Sequence, residues 1–311
     1  MQIQQAYLDA QDGLVRSSDW LYFHGNHFRW NLINPHSNPT NGENFNRFTQ
    51  RLSGRIPDLT ATTQRLSGHF HLGIHPHFHS YYHLWTELIP QVLTQRGSHW
   101  LLPWWLPVNY IAFLQQFQIR LTVLPPRIFQ CESLTIPNKP SLQDIKYSIE
   151  YLRQNYLGSS NTCNDLTSRI YISRRRVKRR HLQNEQELLP ILDRYGYRIV
   201  ELEDWSIERQ MQLFSGVTHV VAPHGAGLTN TLWMPVGGKV LEIRPSYASG
   251  DFCFSEICAL SSLEHEVLVP TRRPAFQLEP ALLTEHLQSW HPKVGQYEHS
   301  GSHYNDYAVN T

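Results

Sequence analysis

VTHVVAPHGAGLTNTLWMPVGGKVLEIRP, residues Val217–Pro245, decides the class of fold. The apolar run Val217, Val220, Val221 and Ala222 reads as a buried strand that breaks at Pro223. His224-Gly225-Ala226-Gly227 then forms a turn, and Leu228–Met234 suits a short helix stopped by Pro235, Gly237 and Gly238. Lys239–Ile243 is a second buried strand. Strand, glycine turn, helix and strand make a βαβ unit. Two glycines one residue apart at the mouth of a helix let a ligand approach the backbone closely. The unpaired N–H groups of the first helical turn suit a phosphate. The third glycine of the dinucleotide fingerprint is missing, so taken alone the segment equally fits a tight turn in any α/β domain.

Upstream, Ser168–Ile172 reads as a strand that runs into Ser173-Arg174-Arg175-Arg176-Val177-Lys178-Arg179-Arg180. Such a run is a solvated face or a nucleic-acid patch when it stands alone. Here it follows a strand, and open α/β sheets hold ligands beyond the carboxyl ends of their strands. A helix capped by Asn184 and ended by Gly196, a strand at Tyr197–Leu202 and a helix at Ser206–Ser215 lead back to the central segment. Helices at Phe254–Leu260 and Pro280–Trp290, with a strand at Glu264–Val269 between them, complete a doubly wound, mainly parallel sheet.

The N-terminal half is harder to read. Residues 1–35 alternate weakly, with a strand at Trp20–His24, and Asn34–Asn46 is a polar surface loop. Gly68–Gly97 crowds His69, His71, His75, His77, His79 and His83 into one window. Alternating histidines resemble metal ligands, and a metal-dependent enzyme built on His69–His83 is one reading. The alternation with Phe70, Leu72, Ile74 and Phe78 is equally that of a half-buried strand. From Ser80, a candidate cap, the period becomes helical, with Leu84, Leu88, Val92 and Leu93 inward and His83 and Glu87 on one face. Strand, helix and strand follow at Trp100–Leu102, Val108–Phe117 and Arg120–Leu124, then a helix over Ser141–Tyr156 and a polar linker at Leu157–Thr167. These breaks give an α/β domain at 1–162 and a second at 163–311.

A chain of 311 residues with 17% charged residues and a net charge of +1 carries no general signal for a polyanionic partner. Cys131, Cys163, Cys253 and Cys258 form no C-x-x-C pair and read as reduced, mostly buried thiols. No apolar run of membrane-spanning length and no leader is visible, so a soluble, cytoplasmic protein is expected, with a peripheral position at the inner membrane left open.

The string HGAGLTN followed by MP-x-GG-KVLEI, with Ile172-Ser173-Arg174-Arg175 and Asn184-Glu185 upstream, closely resembles glycosyltransferase family 61. Tyr81-Tyr82-His83, Glu87 and Ile89-Pro90 are similar to the aromatic–histidine–acid–proline pattern of that family's N-terminal half. The resemblance implies a GT-B-like fold, two Rossmann-like domains facing across a cleft, with the C-terminal segment crossing back onto the first. It implies inverting transfer of a sugar from a nucleotide-diphosphate sugar, most often a UDP-sugar, to a hydroxyl of a glycan, lipid-linked or protein acceptor, as in polysaccharide biosynthesis. Ser173, Arg174, Arg175, Arg180 and His224–Asn230 (His224, Gly225, Ala226, Gly227, Leu228, Thr229, Asn230) are the implied donor-binding residues. His224 either binds the ligand or shapes the turn, and Thr229 and Asn230 either contact phosphate or cap the helix. Glu242 either accepts from ribose hydroxyls or is structural. Glu87 is the first choice of base, with His83 its rival or partner. No D-x-D occurs, so no metal and no other cofactor is expected, and Arg174 with the amides of Gly225–Leu228 meets the leaving-group charge. Alternatives are a catalytically inactive nucleotide- or glycan-binding protein of the same fold, and the metal-dependent enzyme above.

Overall fold

The computed structural model describes residues 1–11, 13–16, 20–23, 26–29, 63–75, 77–157, 168–245, 252–270 and 276–291. The polar loop at Asn34–Asn46, Cys163 and nearly all of the linker fall outside them. The chain divides into two compact units, Met1–Thr162 with Trp205–Gln212, and Cys163–Asp204 with Leu213–Thr311.

In the first unit the described strands form one mixed sheet: β1 (Gln2–Asp9), β2 (Leu14–Arg16), β3 (Trp20–Phe23), β4 (Asn26–Arg29), β5 (Gln64–Leu72), β6 (His99–Pro103), β7 (Arg120–Leu124) and β8 (Ile128–Thr135). Their order is β4-β3-β2-β1-β8-β5-β6-β7. Only β8-β5-β6-β7 is parallel; β1 to β4 are an antiparallel meander added to its edge through the β1–β8 pair. The first unit is therefore α/β with a mixed sheet, and the meander is a part of it that the sequence did not lead us to expect. The meander was missed because the alternation of β1 is interrupted. Gln5 takes a left-handed φ of 50°, Gly68 one of 114°, and β5 shifts register between Leu66 and His69. This irregularity lets Ile3, Ala6 and Leu8 enter one core with Phe129, Cys131 and Leu134, against the strict period of two.

After β5 the chain forms one continuous helical stretch: α-helical at Tyr81–His83, π-helical at Leu84–Leu88, and α-helical again at Ile89–Thr94. Pro90 explains the wide turn, because it has no N–H for an i→i−4 bond, and the Ile89 N–H reaches back to the Leu84 carbonyl instead. Ser80 has the extended backbone of a cap but makes no side-chain capping bond. Leu84, Leu88, Val92 and Leu93 are buried, as their spacing required. The helix Leu142–Leu152 opens with a capping box between Ser141 and Asp144.

The second unit holds β9 (Arg169–Ile172), β10 (Arg198–Val200), β11 (His219–Pro223), β12 (Lys239–Ile243) and β13 (Glu264–Leu268) in the order β10-β9-β11-β12-β13, every pair parallel. Helices Glu185–Arg194, Ile207–Ser215, Ala226–Trp233 and Cys253–Leu260 make the crossovers. From β9 the chain winds to one side, then returns past it to wind the other way, so the winding reverses between β9 and β11. Ligands of open parallel sheets lie beyond the strand ends at such a reversal. Asn184 precedes the helix Glu185–Arg194 without capping it. Its amide instead clips the backbone of Leu278 in both directions, at 2.9 and 3.1 Å. Leu278, Leu283 and Leu287 then join Leu188, Leu192, Val221 and Leu241 in the core. Among the described residues no helix is long and apolar enough to cross a membrane.

Candidate active site

The reversal point joins the carboxyl ends of β9 and β11, which carry Ser173-Arg174 and His224-Gly225. Arg174 is half-buried; its Nη2 donates to the Arg179 carbonyl at 3.0 Å and its Nε to the Arg180 carbonyl at 3.3 Å. Arg180, at a left-handed φ of 58°, contributes this carbonyl while its side chain stays exposed. The remaining edge of the guanidinium lies flat on Gly225, where a Cβ would fall 2.5 Å from Cζ and nearer still to Nη1. The backbone of Gly225 is extended (φ 172°), so glycine is needed here for the close approach and not for a special conformation. Burial and the charge of Arg180 lower the pKa of Arg174, with Glu203 opposing from a distance. A guanidinium stays charged through such a shift. No carboxylate is hydrogen-bonded to it among the described residues.

The helix behind Gly225, Ala226–Trp233, is a 3-10 helix rather than the expected α-helix. Its tighter turn closes one residue earlier, and the Leu228 N–H bonds the Gly225 carbonyl at 2.9 Å. The Leu228 amide is therefore taken up within the turn, whereas the amides of Gly225, Ala226 and Gly227 have no partner among the described residues. Gly227 packs tightly on β9: a Cβ there would meet Ile172 Cγ2 at 3.2 Å. Thr229 and Asn230 are fully buried, so neither reaches a ligand from the surface. Asn230 braces the turn through the Gly227 carbonyl at 3.1 Å, and the Thr229 hydroxyl has no partner among the described residues.

The other basic residues divide. Arg175 pairs with Glu201, and Arg176 with Asp204, which neutralises the centre of the run. Ser173 is 1% exposed and holds Glu185 at 3.0 Å, while Tyr171 holds the other oxygen of that carboxylate at 2.8 Å. Ser173 thus anchors the arginine loop from inside instead of lining it.

Glu242 is the hub of a buried network. One carboxylate oxygen takes the His224 Nδ1 and, at 3.1 Å, the Arg244 Nε; the other takes His265 Nε2 at 3.0 Å. His265 is held in turn by Ser255 at 3.1 Å, and His224 packs edge-on to Phe254. Both oxygens of Glu242 are occupied by protein groups, and one of them holds His224. Burial pushes the Glu242 carboxyl up, but the bonds from His224 and His265 and the charges of His224 and Arg244 outweigh it and hold it at about 2. A carboxyl depressed from 4.5 to about 2 contributes stability above pH 4.5 that is lost as pH falls toward 2. Glu242→Gln should therefore lose about 3–5 kcal/mol at pH 7, the cost of breaking a buried ion pair. It should also lose less than wild type on moving from pH 5 to pH 3. Urea denaturation at the three pH values checks both; an unchanged midpoint at pH 7 contradicts the role.

In the first unit, the His83 Nδ1 and Glu87 Oε1 lie 2.8 Å apart across the π turn, with side chains 27% and 16% exposed. The His77 ring stacks on that of His83, centroids 5.2 Å apart. Burial would raise the Glu87 carboxyl, but the bond from His83, with the neighbouring His83 and Lys139, brings it below its ordinary value. His75 is pushed down to about 4, mainly by burial, and is neutral at ordinary pH. Elsewhere in the window, His69 bonds the hydroxyls of Ser133 (2.8 Å) and Thr135 (3.0 Å), and His71 packs on Trp100. Among the described residues no three or more His, Cys, Asp or Glu side chains are grouped to hold a metal ion.

Arg244 and His265 escaped the sequence reading. Arg244 had a signal, since it follows Glu242 by two residues, the spacing that puts side chains on one side of an extended chain. His265 had none, because its position opposite Val240 depends on the β12–β13 register.

The second unit is thus a parallel α/β sheet whose winding reverses beside a half-buried arginine and a glycine turn. The family model described as Glycosyltransferase 61 matches residues 81–241, more than half the chain, and the protein belongs to that family. The match begins two residues before His83 and ends one before Glu242, so it spans the dyad and the glycine turn. No curated protein matches the chain. Family membership points to a glycosyltransferase, with a sugar donor and an acceptor as its substrates.

Proposed function

We propose that the protein transfers a sugar, with inversion and without a metal ion, from a nucleotide-diphosphate sugar to an acceptor hydroxyl, the two units being the halves of a GT-B transferase. A UDP-sugar is the proposed donor, and a glycan, lipid-linked or protein hydroxyl the acceptor. One observation carries the reading: a half-buried arginine with no bonded carboxylate lies on Gly225 beside the open amides of Ala226 and Gly227. Such a cation in a poorly solvated place calls for an anionic ligand. A diphosphate supplies that charge, and more of it as the anomeric bond breaks.

In the proposed step the acceptor oxygen attacks the anomeric carbon as the bond to the diphosphate oxygen breaks. The electron pair of that bond passes to the diphosphate, where Arg174 and the amides stabilise it. His224, fixed by Glu242, contributes a further hydrogen bond. The acceptor proton passes to His83. This reverses the order suggested by the sequence, because a carboxylate with lowered proton affinity is a poor base. Glu87 accepting from Nδ1–H leaves Nε2 as the basic nitrogen.

A thermal-shift series with UDP and UDP-sugars tests the reading. At a hundred times its dissociation constant a ligand should add about 2.7 kcal/mol of stability. Stabilisation accompanied by donor turnover supports a transferase. Stabilisation without turnover of any donor and acceptor pair favours the inactive binder, and no shift with any nucleotide rejects both.

A further inference from the structure

Arg244 is the first residue beyond the carboxyl end of β12 and lies three residues past the stretch shared with the family model. It stands at the same sheet end as the glycine turn, since β11 pairs with β12 through Pro223 and Ile243, and the His224 N–H bonds the Ile243 carbonyl at 2.8 Å. It is 8% exposed, yet only its Nε has a side-chain partner, Glu242 at 3.1 Å, while its backbone N–H bonds the Leu268 carbonyl. Nη1 and Nη2 have no bonding partner among the described residues. Neither is among the buried polar atoms that lack a partner, so both stay open to solvent, where a ligand can reach them.

The charges around it give the same answer by a separate route. The single carboxylate of Glu242 is shared among Arg244, His224 and His265. Arg174, on the other side of His224-Gly225, is bonded only to carbonyls. Arg244 therefore shares one divided carboxylate, and Arg174 has Glu203 as an electrostatic neighbour but no carboxylate bonded to it. A monophosphate on the glycine turn satisfies one of the two guanidinium groups. A second, adjacent phosphate satisfies the other.

We infer that Arg244 is a second phosphate-binding residue of the donor site and makes that site selective for nucleoside diphosphates over monophosphates. This rests on the donor-binding reading above, and it adds the residue that holds the second phosphate. Arg244 acts in the bound state through Nη1 and Nη2 while Glu242 keeps its Nε in place. Lysine cannot replace it, because it has no planar fork to serve carboxylate and phosphate together.

The test is calorimetric titration of the whole chain with UDP, UMP, pyrophosphate and phosphate, the last two being free of any contribution from the base. Wild type should prefer UDP to UMP, and pyrophosphate to phosphate, by about 10–100-fold, the range of one charge-assisted contact. Arg244→Gln should remove that preference by weakening UDP and pyrophosphate while leaving UMP and phosphate nearly unchanged. Arg244→Lys, the milder variant should the glutamine form fold poorly, should recover only part of it. Equal weakening of the mono- and diphosphate ligands, or no weakening of either, overturns the inference and leaves Arg244 as a brace for Glu242. Failure of wild type to bind UDP overturns the donor-site reading itself, a result distinct from any behaviour of the variants.

Discussion

Gly225→Ala is expected to reduce sugar transfer by about 10²–10³-fold while leaving the protein folded, the loss seen when a preorganised charge-stabilising donor is removed. The backbone at this position is extended, so alanine fits it without strain. The methyl group, however, would occupy the place of the Arg174 guanidinium, 2.5 Å from its central carbon. The arginine is the mobile partner and must swing away, leaving the amides of Ala226 and Gly227 without their cation. Arg174→Gln should lose a similar amount, and the double variant little more than either, because both changes remove one interaction. Gly227→Ala gives the contrast. Its methyl would crowd Ile172 at 3.2 Å, so it should lower stability by about 1–3 kcal/mol, the range for overpacking, with a smaller effect on donor affinity. Steady-state rates and UDP affinity, each measured beside a urea titration, separate the two glycines. Full activity in Gly225→Ala would remove Arg174 from the donor site.

The glycine turn was legible because several local signals agree there: an apolar run, a breaker, two glycines and a second apolar run. The parallel order around it was legible for the same reason, each strand being followed by a helix of the right period. What local pattern does not carry is the choice between helix types. Leu228–Met234 reads as helix in either case, and the 3-10 winding that removes the Leu228 amide appears only in the hydrogen bonds. The roles of Ser173 and Glu242 were legible only as positions. A serine beside an arginine loop and a glutamate at a strand end both suit a ligand, but burial turns both inward, where partners distant in sequence occupy them. The meander of β1 to β4 was hidden for a different reason. One left-handed residue, Gln5, shifts the period of β1, and a pattern search that requires alternation over the whole strand rejects it.

The His83–Glu87 pair shows how spacing can be right and roles still need geometry. Spacing of four brought the two side chains together, and the bond at 2.8 Å is made across a π turn that Pro90 imposes. With Glu87 held ionised, the proposed step has it orient and stabilise the ring, and has the ring take the proton. His83→Gln is expected to lower kcat by about 10²–10⁴-fold, the usual worth of a positioned base, with donor affinity unchanged. Glu87→Gln should lose less, because the amide oxygen still accepts from Nδ1–H and preserves the ring orientation. Its distinctive mark is the pH profile. Glu87→Gln removes the one group of the pair whose carboxyl is held below its ordinary value, so the pH dependence of kcat/KM should change relative to wild type. A purely structural Glu87 would lower activity without changing the shape of that profile. If Glu87 is itself the base, the order reverses: Glu87→Gln becomes the more damaged variant, and His83→Gln keeps substantial activity. Rate–pH profiles of the three proteins, with UDP affinity measured alongside, assign the proton to one side chain or the other.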